Sequence, residues 1–263
     1  MYAKNLLAQS AMAGWSDGPF CKSMAEAGAG IVTLGGFNVD EPTRRAATRI
    51  GLRRREFSIP PDQLPSIIER YASQVRATGA LIVLNLRFTD PISLGELCRQ
   101  TEGCVDLVEL NAHCRQPELL SVGAGEALLS DRDRLLEAVR IASGRLPTIL
   151  KVRARSMDPG LPGMVRDSGG IGIHLDLMVP GEARADLDLL RRIRGDTDML
   201  IIGNNSVVDE RSFVDMLEAG ADVASMARAL LEGPGPIRRI LGNRACISAM
   251  GDPTPDGYPI PGL

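Results

Sequence analysis

Residues 148–152 read Thr148-Ile149-Leu150-Lys151-Val152, a short apolar run with a single charge near its end. A helical pattern over Asp131–Ala142 precedes this run, and a shorter helical stretch over Leu161–Asp167 follows it. Continuous apolar runs of this length are typical of parallel strands that are buried on both faces. The stretch therefore predicts one strand of an α/β protein, with a helix on either side.

The same unit recurs along the 263 residues. The other predicted strands are Leu6–Ala11, Ile31–Leu34, Leu81–Leu86, Leu107–Leu110, Ile171–Leu175, Met199–Ile202 and Val223–Met226. The other predicted helices are Pro19–Ala27, Asp62–Ala77, Ser93–Gln100, Arg184–Arg194 and Asp209–Ala219. Eight strands alternating with helices over this length favour a closed (β/α)8 TIM barrel over an open doubly wound sheet.

The barrel accounts for about residues 6–232, and residues 233–263 form a closing tail in which 236–246 predict one helix. We expect a single domain over residues 1–263, without an added C-terminal helical domain. No GxGxxG follows the first strand, which argues against a Rossmann unit.

The composition and charge of the chain argue against several classes of protein. The net charge is −3, so the basic excess typical of nucleic-acid-binding domains is absent. One local basic run is interpreted as a solvated helix or loop face; it contains Arg44, Arg45, Arg49, Arg53, Arg54 and Arg55. Five cysteines without a CxxC pair, beside two histidines, do not predict a metal site. With no signal-peptide or membrane-spanning pattern, we expect a cytoplasmic protein with reduced thiols.

In a TIM barrel the site lies at the carboxyl ends of the strands. Polar residues collect where the predicted strands end: Asn85, Asn111, His113, Cys114, Lys151, Arg153, His174, Asn204, Asn205 and Arg228. Unpaired buried polar groups cost on the order of 1–3 kcal/mol each, so a polar ligand in the barrel mouth would explain them.

Two of these strand ends predict a phosphate site. Gly203-Asn204-Asn205 follows the seventh strand, and Ala227-Arg228 follows the eighth. Backbone N–H groups and arginine bind such an anion in many barrels. The alternative is a tight turn beside a surface arginine.

Lys151 ends a buried strand and would place a cation in the mouth, where it could stabilise negative charge on a bound ring. The alternative is an ion pair with Glu109.

His174 ends the sixth strand, and a core histidine with satisfied hydrogen bonds is its alternative interpretation. Cys114 follows the fourth strand in a loop, which favours an accessible thiol; Cys21, Cys98, Cys104 and Cys246 are interpreted as packing residues.

Several motifs together resemble one known family. The segment from Met12 to Phe20, Met-Ala-Gly-Trp-Ser-Asp-Gly-Pro-Phe, is similar to the first-strand signature of the tRNA-dihydrouridine synthases, which belong to the dihydroorotate-dehydrogenase-like FMN barrels. Glu109–Cys114 and Gly123–Leu129 resemble the fourth-strand motif and the segment after it. Four further motifs follow in the family's order: Lys151-Val152-Arg153, His174, Ile202-Gly203-Asn204 and Ala227-Arg228. The resemblance covers about residues 6–232 and is closest to short archaeal relatives of these synthases.

This resemblance implies FMN as the cofactor and NAD(P)H as its reductant. The implied FMN-binding residues are Ala11, Met12, Asn85, Lys151, His174, Gly203, Asn204, Asn205, Ala227 and Arg228. Asn111 and Arg153 would face the substrate. Cys114 would be the general acid, protonating one carbon of a uracil-like C=C bond while flavin N5 delivers hydride to the other.

The sequence departs from the family pattern at several positions. Arg115 stands where a proline normally follows the catalytic cysteine, Asn205 replaces a glycine, and Ala227 replaces another. We expect no counterpart of the family's tRNA-binding helical domain. The expected substrate is therefore a uracil-like group in tRNA or in a smaller pyrimidine. Three alternatives remain: a dihydroorotate-dehydrogenase-like oxidation of a dihydropyrimidine, a flavin-free phosphometabolite enzyme that uses Lys151 as a Schiff-base amine, and a non-catalytic RNA-binding relative.

Overall fold

A computed structural model of the protein describes residues 1–50 and 59–263, in which eight parallel strands close into a barrel. The strands are β1 (Leu7–Gln9), β2 (Ile31–Asn38), β3 (Leu81–Arg87), β4 (Leu107–Ala112), β5 (Thr148–Arg153), β6 (Gly172–Asp176), β7 (Leu200–Asn204) and β8 (Val223–Met226). Each strand pairs with its neighbours in sequence, and β1 pairs with β8 to close the ring. The predicted TIM barrel is confirmed, with all eight strands where the apolar runs lie.

Helices surround the barrel. The α-helices are α1 (Gly18–Glu26), α2 (Glu41–Ile50), α3 (Leu64–Arg76), α4 (Pro91–Thr101), α5 (Pro117–Leu120), α6 (Arg132–Ser143), α7 (Leu161–Asp167), α8 (Leu187–Asp196), α9 (Glu210–Glu218), α10 (Gly235–Gly242) and α11 (Arg244–Met250). Short 3-10 helices span Pro61–Gln63, Gly125–Ser130, Ala154–Ser156 and Arg228–Leu230. The described residues contain no helical domain beyond the barrel and its tail.

The tail differs from its prediction. Residues 236–246 form parts of two helices instead of one, because the side chain of Asn243 accepts hydrogen bonds from the N–H groups of Ala245 and Cys246. This N-cap ends α10 and begins α11. Other helices begin in the same way: Asp17 caps α1 by accepting from Phe20.

The two chain ends meet at the amino end of the barrel. Tyr2–Ala3 pairs antiparallel with Tyr258–Pro259. Ala3 and Ile260 are buried against apolar residues at the starts of the strands. The termini therefore cover the amino end and exclude water from the apolar layer there.

The barrel interior changes character along each strand. Side chains alternate with a period of two, so residues 149, 151 and 153 of β5 face the same side. On that side Ile149 packs with the apolar interior cluster, whereas Lys151 contacts polar side chains of other strands. The same change occurs in four other strands, with the pairs Val83/Asn85, Leu107/Glu109, Ile202/Asn204 and Val223/Ser225. A polar layer thus lies at the carboxyl end, above an apolar one.

The basic run is only partly described. Arg44 and Arg45 lie on α2, and each contacts Glu41, at N–O distances of 2.6 and 2.7 Å. Arg53, Arg54 and Arg55 lie outside the described residues. Where it is described, the run is therefore partly neutralised by a carboxylate on its own helix.

The helices are short. Crossing a bilayer takes about 20 apolar residues in a helix. Among residues 1–50 and 59–263, no helix has both the length and the apolar character to do so.

Candidate active site

Glu109 is the centre of the polar layer. It is fully buried on β4 and contacts one side chain from each of β3, β5 and β6. Its Oε1 accepts a hydrogen bond from Asn85 Nδ2 at 2.5 Å and lies 3.8 Å from Lys151 Nζ, while Oε2 contacts His174 Nδ1. Burial raises the pKa of Glu109, but the Lys151 charge, His174 and the Asn85 hydrogen bond outweigh it and lower the pKa to about 2.

His174 contacts this carboxylate through Nδ1. Burial and the Lys151 charge lower its pKa, against the opposing effect of Glu109. Its Nδ1 faces the carboxylate, and its Nε2 lies 3.0 Å from Ser225 Oγ and 3.2 Å from Ser10 Oγ. A neutral imidazole with its proton on Nδ1 satisfies both sides.

Ser10 links Lys151 to the side of the barrel mouth where β7 and β8 end. Lys151 Nζ donates to Ser10 Oγ at 3.2 Å, and Asn204 Nδ2 also donates to Ser10 Oγ. Asn204 donates in addition to Ser225 Oγ at 2.9 Å, and Ser225 donates to the Gly203 carbonyl at 3.1 Å. These contacts bring residues of β5, β7 and β8 to the loop after β1.

A cavity of about 340 Å³ opens beside Asn204 and Ser225. Its lining includes Asn205, Ala227 and the exposed Arg228. Among the described residues, no carboxylate forms an ion pair with Arg228. Asn205 and the residue after it adopt left-handed backbone conformations, with φ of 92° and 56°. This cavity lies at the ends of β7 and β8, the two strand ends that predict a phosphate site.

A second hydrogen-bond chain leads from Glu109 to Cys114. Asn111 Nδ2 donates to Asn85 Oδ1 at 3.1 Å, and Asn111 Oδ1 accepts from the backbone N–H of Cys114 at 3.2 Å. The Cys114 carbonyl in turn accepts from Glu126 N at 2.9 Å. The half-buried Cys114 is therefore held from both sides.

Gly125 makes room for the Cys114 loop. Its φ is +64°, a conformation that glycine adopts without strain. A Cβ at this position would lie 2.4 Å from the Cys114 carbonyl oxygen. A side chain at residue 125 would therefore displace Cys114.

Arg153, Asp176 and His113 form a third group at the mouth. Arg153 Nη2 lies 3.6 Å and His113 Nε2 3.9 Å from Asp176 Oδ2, and Asn205 Nδ2 donates to Asp176 Oδ1 at 3.0 Å. Burial raises the pKa of Asp176, but the Asn205 hydrogen bond, His113 and Arg153 outweigh it and lower the pKa. Within the described part of the chain, the buried Nε of Arg153 has no hydrogen-bond partner. Arg153 thus retains a donor for a ligand.

The structure brings most of the predicted site residues to one end of the barrel. Asn85, Asn111, Lys151, His174 and Asn204 form one buried hydrogen-bonded set, while Ala11, Met12, Cys114, Arg153, Asn205, Ala227 and Arg228 lie on its less buried rim. Gly203 differs: a Cβ there would lie 2.4 Å from Met216 Sδ, so this glycine permits close packing against α9. The alternative interpretations of Lys151 and His174 are both present: Lys151 lies 3.8 Å from Glu109, and both ring nitrogens of His174 contact hydrogen-bonding groups.

Sequence reasoning missed three members of the site. Ser10, Asp176 and Ser225 are buried polar residues that contact predicted site residues. The signal that could have found Asp176 and Ser225 is the two-residue period: each stands two positions after an interior residue of its strand, His174 and Val223.

Comparison with known proteins gives one relative with high coverage. No protein-family model matches the chain. An uncharacterized protein of Methanocaldococcus jannaschii is 34% identical over 230 residues, which cover 84% of this chain and 88% of that protein. An uncharacterized tRNA-dihydrouridine synthase-like protein of Caenorhabditis elegans is 26% identical over 164 residues, or 58% of each chain.

Solved structures share the fold. DHODH of Eimeria tenella in complex with ferulenol aligns with a TM-score of 0.66 and 14% identity, covering 94% of this chain and 84% of that one. The tryptophan synthase complex of Pyrococcus furiosus aligns with a TM-score of 0.62 and 15% identity, covering 92% of this chain and 100% of that one. At these identities the likeness is one of fold. The family follows from the relative that is 34% identical over 88% of its length: the chain belongs to the same family as the uncharacterized Methanocaldococcus jannaschii protein.

Proposed function

We propose that the protein is an FMN-dependent oxidoreductase that transfers hydride between flavin N5 and a uracil-like C=C bond, with Cys114 as general acid. The observation that carries this proposal is the convergence of Lys151 and His174 on Ser10 at the carboxyl end, beside a cavity lined by Arg228. The Caenorhabditis elegans relative, named tRNA-dihydrouridine synthase-like, supports the same chemistry.

The residues at the cavity fit the phosphate of FMN. Arg228 supplies a cation that is not neutralised by a described carboxylate, and Asn204, Asn205 and Ala227 line the same space. Arginine binds phosphate oxygens through paired N–H donors, and such charge-assisted bonds are stronger than neutral ones. Arg228 would therefore anchor the cofactor at the rim.

The buried polar layer fits the ring of FMN. FMN, when bound, supplies hydride chemistry and gains negative charge on its ring in the reduced form. Lys151 is 3% exposed and carries its charge where that negative charge would develop. His174 on β6 and Asn85 on β3 would contact the cofactor, and Ala11 and Met12 form the rim above them.

Cys114 would hold and deliver the proton. Adding hydride to one carbon of a C=C bond requires a proton at the neighbouring carbon, so a donor must face the substrate. Cys114 is partly exposed on a loop fixed by Asn111 and Gly125, and solvent can return its proton after each turnover. Arg153 and Asn111 would orient the substrate beside it.

The proposed substrate is a uracil-like ring, in tRNA or in a smaller pyrimidine, and NAD(P)H is the proposed reductant. The test is an anaerobic half-reaction that follows flavin absorbance. After photoreduction, we expect tRNA lacking dihydrouridine, or a small uracil compound, to reoxidise the flavin. Reduction of the oxidised protein by dihydroorotate, with no reoxidation by uracil compounds, would replace this activity with a dihydroorotate-dehydrogenase-like one.

A further inference from the structure

Glu109 is a buried carboxylate that the proposed chemistry does not itself use. It is fully buried in the barrel interior, between Lys151, His174 and Asn85. A buried ionised carboxylate is stable only when hydrogen bonds and an opposite charge compensate its desolvation. Its three partners provide this compensation, so the charge of Glu109 constrains the orientation of each of them.

One chain of orientations runs from Glu109 to Cys114. A carboxylate only accepts hydrogen bonds, so Asn85 must present its NH₂ group to Glu109 and its carbonyl to Asn111. Asn111 must then donate to Asn85, which leaves its own carbonyl oxygen free to accept from the backbone N–H groups of His113 and Cys114, at 3.3 and 3.2 Å. Every amide in this chain has a single orientation consistent with its neighbours.

The other chain runs from Glu109 to His174. Because Glu109 Oε2 accepts, Nδ1 of His174 carries the proton. Nε2 is then an acceptor for the hydroxyl group of Ser10, because the single hydroxyl proton of Ser225 is donated to the Gly203 carbonyl. Ser10 also accepts from Lys151, so the tautomer of His174 and the position of the Lys151 ammonium are set together.

We propose that Glu109 is a positioning residue that orients both halves of the site, His174 and Lys151 through one hydrogen-bond chain and the Cys114 loop through the other. This role rests on the proposed function for its catalytic meaning. The hydrogen-bond orientations are properties of the cofactor-free protein, so they are testable without it.

The Glu109→Gln variant tests the hydrogen-bond chain from Glu109 to His174. Glutamine keeps the shape of the side chain and an acceptor for Asn85, but it places an NH₂ donor opposite His174 Nδ1. We expect the neutral His174 to move its proton from Nδ1 to Nε2, where Ser225 can accept it. Long-range ¹H–¹⁵N spectra of the cofactor-free protein report this tautomer. The chain has two histidines, so a His113→Gln variant assigns the signals.

The Asn85→Ala variant separately tests the hydrogen-bond chain from Glu109 to Cys114. It removes the link to Asn111 and leaves the Glu109–His174 contact in place. We expect an unchanged His174 tautomer and about a fivefold faster alkylation of Cys114, the effect of losing about one hydrogen bond that fixes the loop. Peptide mass spectrometry quantifies Cys114, with the half-buried Cys104 as the internal control.

Three results would overturn the proposal: wild-type His174 with its proton on Nε2, an unchanged tautomer in folded Glu109→Gln, or an unchanged alkylation rate in Asn85→Ala. If Glu109→Gln does not fold, the wild-type spectrum alone tests the chain from Glu109 to His174, because it reports the His174 tautomer. Because the tautomer is measured without flavin, failure of this proposal is distinct from failure to bind FMN.

Discussion

The two ends of the barrel interior differ in chemistry although the same eight strands build both. At the amino end the interior side chains are apolar, and the paired chain termini cover them. At the carboxyl end the side chains two residues further along are Asn85, Glu109, Lys151, Asn204 and Ser225, all buried and polar. Burial of apolar surface stabilises a fold, whereas buried polar groups offset their desolvation only through partners. The amino end therefore serves stability, and the carboxyl end is where we propose that a ligand binds.

The largest expected effect is on chemistry at the carboxyl end. Cys114→Ala removes the proposed proton donor, so we expect reoxidation of the reduced flavin by a uracil substrate to slow by about 10²–10⁴-fold. FMN binding stays unchanged, because Cys114 is not among the residues proposed to hold the cofactor. Stopped-flow absorbance measures the rate, and Cys104→Ala is the matched control. An undiminished rate in Cys114→Ala would assign the proton to another donor.

The next effect is on stability at the amino end. Ile149 is fully buried in the apolar layer, so Ile149→Ala leaves a cavity and should lower the free energy of unfolding by about 2–5 kcal/mol. FMN affinity should be unchanged in the folded protein. Urea unfolding and FMN titration measure the two quantities. If this variant lost FMN affinity while remaining folded, the division between the two ends would be wrong.

Acid should destabilise the protein through the carboxyl end. The pKa of Glu109 lies near 2 instead of its ordinary 4.5, so its stabilisation is present above pH 4.5 and is lost as the pH falls toward 2. The difference corresponds to about 3 kcal/mol. His174, whose pKa is also lowered, adds a loss that begins below its ordinary 6.5.

We therefore expect the free energy of unfolding to fall between pH 7 and pH 3, and to fall less steeply in Glu109→Gln. Urea unfolding at a series of pH values measures this, with Glu137→Gln, a change at an exposed helical position, as the control. Equal pH dependence in Glu109→Gln and the wild type would show that Glu109 is not ionised in the folded protein at low pH.

A smaller effect is expected at the rim. Arg228→Ala removes the proposed phosphate contact, which is worth about 1.5–3 kcal/mol for a hydrogen bond to a charged group. We expect weaker FMN binding without a change in the free energy of unfolding of the cofactor-free protein. Flavin fluorescence titration measures it, with Arg238→Ala, an exposed arginine of α10, as control. Equal affinity in both variants would place the phosphate elsewhere.

The fold was predictable because each strand is a compact apolar run between helical patterns. The run at residues 148–152 and the seven others correspond to the eight strands of the barrel. The helix Glu41–Ile50 was not predicted, because its apolar face consists of little more than Ala46 and Ile50 among charged residues. The break at Asn243 depends on a capping hydrogen bond, which spacing alone does not reveal.

The site was predictable only in part. Lys151, His174 and Cys114 stand out as polar or reactive residues at strand ends. Ser10 and Ser225 do not, because serine is common in loops and small enough to pack in a strand. Which partner Lys151 takes also depends on packing across the barrel: Glu109 is 42 positions away in sequence but lies on the adjacent strand, with Asn111 paired to Lys151.

The central claim is that the carboxyl end of the barrel holds FMN. The absorbance spectrum of the purified protein, followed by titration with FMN if the bands are weak, tests it most directly. We predict flavin bands in the purified protein, or saturable uptake of added FMN that Arg228→Ala weakens. A colourless protein that takes up no added FMN would contradict the account and favour a flavin-free barrel enzyme.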